Sequence, residues 1–412
     1  MAKSLKWKLI ENAGWLFVAE LLSRVLAYGI IVVMGRTLGP EGLGLYSFIF
    51  YYVGILGIFS DFGINFYITK EVSKDKNRLH DLVPVALGLK IFLAFLNFII
   101  LAVVTFFLPK PLWVKLLILA VGAEAVLYWV SLFFSGIMYA HEVTKYESIV
   151  RIAERVWAFA TGVPILYHLR SLKAFVGALI VGYAIRDSMR IYFTVKLAGF
   201  VRPEFRPREW LGIIRKSYPF WLINLFTMIY YQTDVVMLNL LRGNYETGIY
   251  RGAYMFVQVA LLIPGIVIPT ILPPMARLWE ENKGTVRVLF NKAYLALLGL
   301  GILGAGGLVV FPNLLISIFL GSKFLPSIPV LKILGIAVPF MFLNSLIGSL
   351  MNATGKELEF TKIVGFTALL NVVLNYILIM KYGVSGAATA TVISQAFVTI
   401  VGSYKAYQHL KA

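Results

Sequence analysis

The chain alternates long apolar runs with short polar turns. From Trp15 to Met34 nearly every residue is apolar, and at ~1.5 Å per residue this run can cross the ~30 Å hydrocarbon core of a membrane. Similar runs recur to the end of the sequence, and their pattern predicts an all-α polytopic membrane protein with twelve transmembrane helices. These cover about 12–35, 43–69, 81–108, 112–140, 146–168, 174–198, 217–241, 246–276, 287–311, 327–352, 358–381 and 385–407.

Composition agrees with this pattern. Of 412 residues, 59% are hydrophobic and only 14% are charged, whereas a soluble domain carries about 25% charged residues. The sequence contains no cysteine, so disulfides and thiol chemistry are excluded. Three lysines precede a first run that is too long for a signal peptide and has no small-residue cleavage site after it, so we expect no cleavable leader.

The net charge of +18 is distributed by topology. With the amino terminus placed in the cytoplasm, about 22 Lys and Arg residues fall on the inner side and about 8 on the outer side. This asymmetry predicts a multi-pass protein of the plasma membrane with both termini cytoplasmic. Because the excess charge faces membrane lipids, we expect no nucleic-acid partner.

Two short sequences occur twice. Gly39–Tyr46 and Gly243–Tyr250 follow predicted spans one and seven, and Ser135–Ala140 is echoed by Ser349–Ala353 after spans four and ten. Helices repeated in the same orientation predict two six-helix lobes related by an axis along the membrane normal. We therefore expect an N-terminal lobe at 1–200, a basic cytoplasmic linker at 201–216, and a C-terminal lobe at 217–412.

Charged residues lie at membrane depth, mainly in the first half. A buried charge is costly, so it either pairs with another helix, snorkels to the interface, or faces a cavity. If the bases line a cavity, its ligand should be anionic, and arginine suits bidentate phosphate binding while Lys90 would act as a point charge. The candidate substrate-binding residues are Glu20, Arg24, Lys90, Glu124, Arg151, Arg155, Arg186 and Arg251.

A second candidate site lies at similar depth in the second half. Asp234, Asn371, Asn375 and Thr391 offer a carboxylate, two amide oxygens and a hydroxyl. These hard oxygens suit a small cation such as Na⁺, or a protonatable site. The alternative is plain helix–helix hydrogen bonding, which is common for Asn and Thr in membranes.

Signals for catalysis are missing from the sequence. The four histidines are scattered, and there is no P-loop, HExxH or nucleophile elbow. A membrane glycosyltransferase or ligase would need a large outer loop with catalytic acids, which the predicted topology does not offer. We therefore expect a protein that is not an enzyme and needs no cofactor beyond a possible coupling ion, Na⁺ or H⁺.

Three segments resemble polysaccharide-type flippases of the multidrug/oligosaccharidyl-lipid/polysaccharide exporter superfamily. They are Arg36–Phe48, Gln232–Tyr250 and Asn371–Thr391. The resemblance implies a V-shaped, two-lobe, alternating-access carrier coupled to an ion gradient. It also implies phosphate contacts at Arg24 and Arg251 and a cation among Asp234, Asn371, Asn375 and Thr391, although the family pattern has an acid where this chain has Asn375. Twelve spans rather than fourteen favour the polysaccharide-repeat subgroup over lipid II flippases.

The function predicted is translocation of a lipid-pyrophosphate-linked oligosaccharide from the inner to the outer leaflet. The alternative is a cation-coupled multidrug exporter of the same superfamily, whose cavity should carry acidic and aromatic walls. The partners expected are a polyprenyl-pyrophosphate-linked glycan, membrane lipids and polysaccharide-assembly proteins. We expect the protein to act as a monomer.

Overall fold

The computed structural model describes residues 2–141 and 143–411, with side chains from residue 19 onward except at 144. All regular secondary structure in these residues is helical. The described part forms fourteen α-helices: α1 Ala2–Gly57, α2 Ile64–Lys74, α3 Arg78–Phe106, α4 Leu112–Ala140, α5 Thr144–Pro164, α6 Leu172–Ala198, α7 Pro207–Arg242, α8 Asn244–Ala260, α9 Leu262–Glu281, α10 Lys283–Val310, α11 Pro312–Phe319, α12 Ser327–Ala353, α13 Glu357–Tyr382 and α14 Val384–Lys411.

Eight helical stretches of the described residues are long and apolar enough to cross a membrane. Ala19–Ser60 joins the first two predicted spans, and Asn244–Glu281 joins α8 with α9. Helices α5 and α6 are not among the eight because acidic and basic side chains interrupt their apolar sequence, and α7 is not among them because neutral polar residues lower its mean hydropathy. A polytopic, all-helical membrane protein is therefore supported, whereas twelve spans remains a prediction.

The chain divides into two compact units. The N-terminal unit comprises Met1–Leu38 and Ile49–Leu225, and the C-terminal unit comprises Gly39–Phe48 and Phe226–Ala412. Within the predicted linker, residues 201–206 are non-helical and α7 begins at Pro207. The lobe boundaries predicted at 200 and 217 remain a prediction.

The second predicted span is interrupted in the structure. A short 3₁₀ segment, Ile58–Ser60, and Gly63 with φ 76° separate the end of α1 from α2. The indole of Trp221 donates to the Ile58 carbonyl at 3.1 Å. A Cβ at Gly63 would lie 2.3 Å from the Ser217 carbonyl oxygen. Close approach of α7 thus explains both the glycine and the break, which hydropathy alone could not reveal.

Proline explains where α8 ends. The sequence predicts one span over about 246–276 that is kinked in its second half, where Pro264, Gly265, Pro269, Pro273 and Pro274 lie. In the structure α8 stops at Ala260 and α9 starts at Leu262. Pro264 has no N–H to donate to the carbonyl of Ala260, four residues earlier, so the helical hydrogen-bond ladder fails at that residue.

The two repeated turns contact each other through glycine. Gly39 and Gly243 have matching conformations, φ 70° and ψ −172° against φ 89° and ψ −174°. A Cβ on Gly44 would lie 1.9 Å from the Asn244 oxygen, and one on Gly248 would lie 1.8 Å from the Pro40 oxygen. Because Gly44 and Asn244 occupy positions equivalent to Gly248 and Pro40, the contact is reciprocal, as expected for an internal repeat.

The echoed segments near the other ends of the helices also correspond. Helix α4 ends at Ala140 and α12 ends at Ala353, the last residues of the two echoed sequences. In the C-terminal unit, α12 is central and packs on α8, α10 and α14. In the N-terminal unit, α4 packs on α2, α3, α5 and α6. This arrangement brings the charged faces of α4, α5 and α6 together.

Candidate functional site

A cavity of about 460 Å³ lies within the N-terminal unit. Its wall is formed by α1, α4, α5 and α6 and includes Phe50, Tyr128, Trp129 and Tyr183. Among its lining residues are four glutamates and four arginines: Glu20, Glu124, Glu147, Glu154, Arg151, Arg155, Arg186 and Arg190. Most of the charged residues predicted for a substrate site therefore meet in one cavity.

Helical spacing brings these side chains together. On α5, Glu147, Arg151, Glu154 and Arg155 follow the i, i+4, i+7, i+8 pattern of one helix face. One helix face also carries Glu124, Tyr128, Ser131 and Ser135 on α4, at i, i+4, i+7 and i+11, and another carries Tyr183, Arg186, Asp187 and Arg190 on α6, at i, i+3, i+4 and i+7. Each helix keeps its remaining faces largely apolar, so the polar stripes turn inward and face one another.

Arg186 is the centre of the first part of this network. Its guanidinium donates to Glu124 at 2.8 Å and to both oxygens of Asp187 at 2.8 and 3.0 Å, and it lies 3.5 Å from Glu154. Its faces lie 4.6 Å and 4.7 Å from the ring centroids of Tyr128 and Tyr183. A guanidinium with three carboxylates on its edges and two rings on its faces is fully engaged.

Arg190 is the centre of the second part. It donates to both oxygens of Glu147 at 3.0 and 3.1 Å and to Ser131 at 2.8 Å. Ser131 in turn donates to Asp187 at 2.7 Å, and Ser135 donates to Glu147 at 2.8 Å. The two buried arginines thus share Asp187, which ties α4, α5 and α6 into one buried network.

Exposure separates the remaining charges from this buried layer. The side chains of Arg24, Arg151 and Arg155 are 37–40% exposed. By contrast, the side chains of Glu124, Glu147, Glu154 and Asp187 are only 2–10% exposed. The accessible charges are therefore mainly guanidiniums, while most carboxylates lie beneath them.

Glu20 is the accessible acid of the cavity. One of its carboxylate oxygens accepts from Arg24 Nε at 2.6 Å, and the other lies 3.6 Å from Arg151 Nη1. Arg24 does not itself line the cavity but adjoins it through this pair. A single carboxylate bridging two arginines from two helices occupies the place that a small oxyanion would take.

Two predicted substrate residues lie elsewhere. Lys90 is fully buried, donates to Asp61, and sits 5.6 Å from the ring centroid of Trp129 without lining the cavity. Its charge is compensated by Asp61, so the predicted role as an accessible point charge is not supported by its position. Arg251 is buried in the C-terminal unit with its guanidinium 5.9 Å from the ring centroid of Tyr254.

Glutamates equal arginines in number at the cavity wall. Sequence reasoning missed Glu147, Ser131 and Ser135. Their signals were available, since Glu147 precedes Arg151 by four residues and the serines follow Glu124 by seven and eleven. A single small serine interrupts an apolar run only slightly, so it is easily overlooked as a site residue in the sequence.

The C-terminal unit has a smaller polar network around one carboxylate. Asp234 on α7 is buried and accepts a hydrogen bond from the hydroxyl of Tyr250 on α8. The same hydroxyl lies 3.1 Å from Thr391 Oγ1 on α14. Tyr250 therefore lies between Asp234 and Thr391, two of the predicted cation ligands, although it was not itself among the predicted site residues.

The two predicted asparagines form a separate pair. Asn375 donates to Asn371 at 2.9 Å, and Asn371 donates to Ser394 at 3.0 Å. Ser394 is three residues beyond Thr391, so both networks reach one face of α14. The buried Asn375 Oδ1 has no hydrogen-bond partner among the described residues. An unsatisfied buried amide oxygen is chemically suited to a cation or a bound proton donor.

The donor set fits a monovalent ion better than a divalent one. Asp234 supplies the carboxylate, and the other oxygens are neutral. Among the described residues no three His, Cys, Asp or Glu side chains gather as a metal site.

Comparison with known proteins assigns the chain to a family. The profile of a family described as "Polysaccharide biosynthesis protein" matches residues 9–279. The probable low-salt glycan biosynthesis flippase Agl15 of Haloferax volcanii is 24% identical, with 94% of this chain and 81% of that protein covered.

Solved structures show the same fold. The inward closed conformation of the lipid II flippase MurJ superposes with a TM-score of 0.77 at 15% identity, covering 94% of this chain and 86% of that one. An inward-facing multidrug resistance transporter of the MATE family, from the MOP superfamily, superposes with a TM-score of 0.75 at 14% identity, covering 94% of both chains.

The chain belongs to the polysaccharide biosynthesis protein family, and its fold is that of MOP-superfamily transporters. The predicted resemblance to polysaccharide flippases of this superfamily is confirmed. Family and fold identify a membrane transporter rather than an enzyme.

Proposed function

We propose that the protein translocates a lipid-pyrophosphate-linked oligosaccharide from the inner to the outer leaflet of the plasma membrane. In this proposal twelve transmembrane helices form two six-helix lobes in a V-shaped carrier with alternating access. Both termini lie in the cytoplasm and the protein acts as a monomer, alongside polysaccharide-assembly partners. Coupling to a Na⁺ or H⁺ gradient drives transport.

The separation of charge by exposure in the N-terminal cavity carries this proposal. Arg24, Arg151 and Arg155 are accessible, while Arg186 and Arg190 are saturated by buried carboxylates. An entering ligand therefore meets these three guanidiniums together with a single accessible carboxylate, that of Glu20. Guanidiniums bind phosphate oxygens in a bidentate manner, which suits a pyrophosphate head group.

Glu20 gives the binding step a mechanism. In this structure its carboxylate bridges Arg24 and Arg151. Exposed ion pairs of this kind contribute about 0–1 kcal/mol, whereas hydrogen bonds to charged groups contribute about 1.5–3 kcal/mol. A pyrophosphate, with more oxygens and more charge than one carboxylate, would displace Glu20 and take over both arginines. Because Arg24 lies on α1 and Arg151 on α5, the contact between these two helices would then depend on whether substrate is bound.

The C-terminal network supports ion coupling. Asp234, Tyr250 and Thr391 form a hydrogen-bonded chain that can hold a proton, and Asn371 and Asn375 on α13 form a second polar pair that reaches α14 through Ser394. Sodium bound here would supply a positive charge that neutralises Asp234. Either ion would change the hydrogen bonds joining α7, α8 and α14.

A second candidate function is a cation-coupled multidrug exporter. Four glutamates line the cavity together with tyrosine and tryptophan rings, which a cationic drug would require. The fold shared with the MATE transporter is compatible with it. Burial argues against this function, because Glu124, Glu147 and Glu154 are already paired with arginine.

Reconstituted transport tests both candidates. Proteoliposomes would carry a fluorescent undecaprenyl-pyrophosphate oligosaccharide, with an impermeant quencher reporting its leaflet, under an imposed Na⁺ or pH gradient. We expect wild-type protein to move the lipid. Arg151→Gln with Arg155→Gln should slow transport by about tenfold or more. Arg287→Gln with Lys292→Gln, which removes two exposed charges from α10, is the matched control.

Two results would contradict the proposal. One is wild-type protein that leaves the pyrophosphate lipid in place, and the other is efficient efflux of ethidium from the same vesicles without movement of the lipid. The second result would establish the multidrug exporter instead.

A further inference from the structure

A second cavity lies at one end of the C-terminal unit, far along the sequence from the charged cavity. It has a volume of about 570 Å³ and is formed where α12 turns into α13 and where α14 approaches its end. Its lining residues are Gly355, Lys356, Leu358, Glu359, Lys362, Ile363 and Lys405. The transport cycle proposed above uses none of them.

The charge of this cavity is positive and largely uncompensated. Lys405 holds Glu359 at 3.2 Å, so the single acid of the lining is neutralised. Lys356 and Lys362 are exposed and form no ion pair with any described residue. The first turn of α13, which starts beside Lys356, also carries Glu357, but this acid does not line the cavity. The cavity is therefore suited to an oxyanion such as a phosphate.

An apolar stripe continues from the cavity along α13. The exposed side chains Leu358, Phe366, Leu369, Val373 and Tyr376 follow one another at three-, four- and eight-residue steps, with Lys362 filling the gap. From Phe366 to Tyr376 the stripe rises about 15 Å, which equals one leaflet's share of a ~30 Å hydrocarbon core. A free phosphate would make no use of this stripe, but an acyl chain would lie along it.

We propose that this cavity binds the head group of an anionic phospholipid, whose acyl chain packs along α13. The phosphate would contact Lys356 and Lys362, with Lys405 at the rim. Basic pockets between membrane helices recognise anionic lipid head groups in this way. The site is separate from the substrate cavity, so it does not depend on the transported glycan.

Lipid retention measured by native mass spectrometry tests the proposal. Protein would be purified from nanodiscs containing equal amounts of phosphatidylglycerol and phosphatidylcholine. We expect wild-type protein to retain phosphatidylglycerol selectively. Lys356→Gln with Lys362→Gln should weaken that retention by about 30-fold, since each lysine near the surface contributes to anionic-lipid binding. Both lysines are exposed, so folding should be unaffected.

Controls separate this site from general surface charge. Arg287→Gln with Lys292→Gln removes two exposed charges from the same unit and should leave retention unchanged. Equal weakening in that control would overturn the proposal in favour of diffuse attraction. Glycerol phosphate and inorganic phosphate, added as water-soluble probes, should compete poorly. If either displaces phosphatidylglycerol at millimolar concentration, the site recognises free phosphate and the lipid proposal fails.

Discussion

The two units differ in the kinds of buried charged and polar side chains that they contain. The N-terminal unit concentrates carboxylates and guanidiniums around one cavity, with each buried arginine held by several acids. In the C-terminal unit the carboxylate of Asp234 accepts a hydrogen bond from the Tyr250 hydroxyl, which also contacts Thr391, and the buried guanidinium of Arg251 lies near enough to interact with its charge. The two networks differ in how rigidly they hold their side chains and in how readily they change protonation or ion occupancy. Buried ion networks fix geometry, whereas a neutral hydrogen-bond chain can change its state with one proton or one ion.

This contrast assigns distinct roles to the two units. The N-terminal unit presents arginines whose positions are set by a rigid charged layer beneath them, as ligand recognition requires. The C-terminal unit contains a small site whose protonation or ion occupancy can alter the contacts among α7, α8 and α14. Substrate binding and ion coupling would thus occur in different places.

The largest effect should come from breaking the buried charged layer. Arg186→Gln leaves Glu124, Glu154 and Asp187 without their shared cation, and removal of one partner from a buried network costs about 3–5 kcal/mol. We expect loss of folded protein, measured as monodisperse yield and melting temperature in detergent. Arg155→Gln, at a partly exposed position, should cost about 1 kcal/mol or less. If the two variants were equally stable, burial would not determine how much an arginine of this cavity contributes to the stability of the fold.

Backbone contact in the C-terminal unit should give the next largest effect. Gly248→Ala places a Cβ 1.8 Å from the Pro40 carbonyl oxygen, and overpacking of this kind costs about 1–3 kcal/mol. Gly299→Ala is the matched control, because its Cβ would meet nothing within 4 Å. The melting temperature should fall for the first variant only. A Gly248→Ala protein as stable as wild type would show that this approach is not tight.

Sequence alone predicted an all-helical membrane protein, the paired glycine turns, and most of the charged residues that line the N-terminal cavity. Hydrophobic runs and repeated glycine turns are patterns of residues that are close together in sequence, so they can be recognised without a structure. Pairing between helices is not local. Arg186 could equally have faced a ligand or Glu124, and only the placement of α4, α5 and α6 decides for Glu124. The break after Gly57 escaped detection for the same reason, since it depends on Trp221 from another helix.

A smaller effect should follow from altering the neutral network. Tyr250→Phe removes the hydroxyl between Asp234 and Thr391, and loss of such a hydrogen bond costs about 1 kcal/mol. The protein should remain folded, while transport should become less dependent on the imposed Na⁺ or pH gradient, as should also occur in Asp234→Asn. The flipping rate with and without each gradient is the measurement.

The control for this network is Tyr294→Phe. Tyr294 is only partly buried and its hydroxyl contacts Ser403 at 3.3 Å, outside the Asp234 network. Its gradient dependence should match that of the wild type. Unchanged coupling in both Tyr250→Phe and Asp234→Asn would leave this network with a structural role only, and the comparison between the units would then rest on the charged cavity.

The central claim is that accessible guanidiniums around Glu20 bind the phosphates of the substrate. Its most direct test is the rate of pyrophosphate-lipid flipping in proteoliposomes by Arg24→Lys and by Glu20→Gln combined with Arg24→Gln. Lysine keeps the charge but loses the planar fork, so we predict a rate lowered by about tenfold or more at normal protein levels. The double variant should also fail, although it removes a balanced pair. Wild-type flipping by the double variant would show that Glu20 and Arg24 form only a structural ion pair, and would contradict the claim.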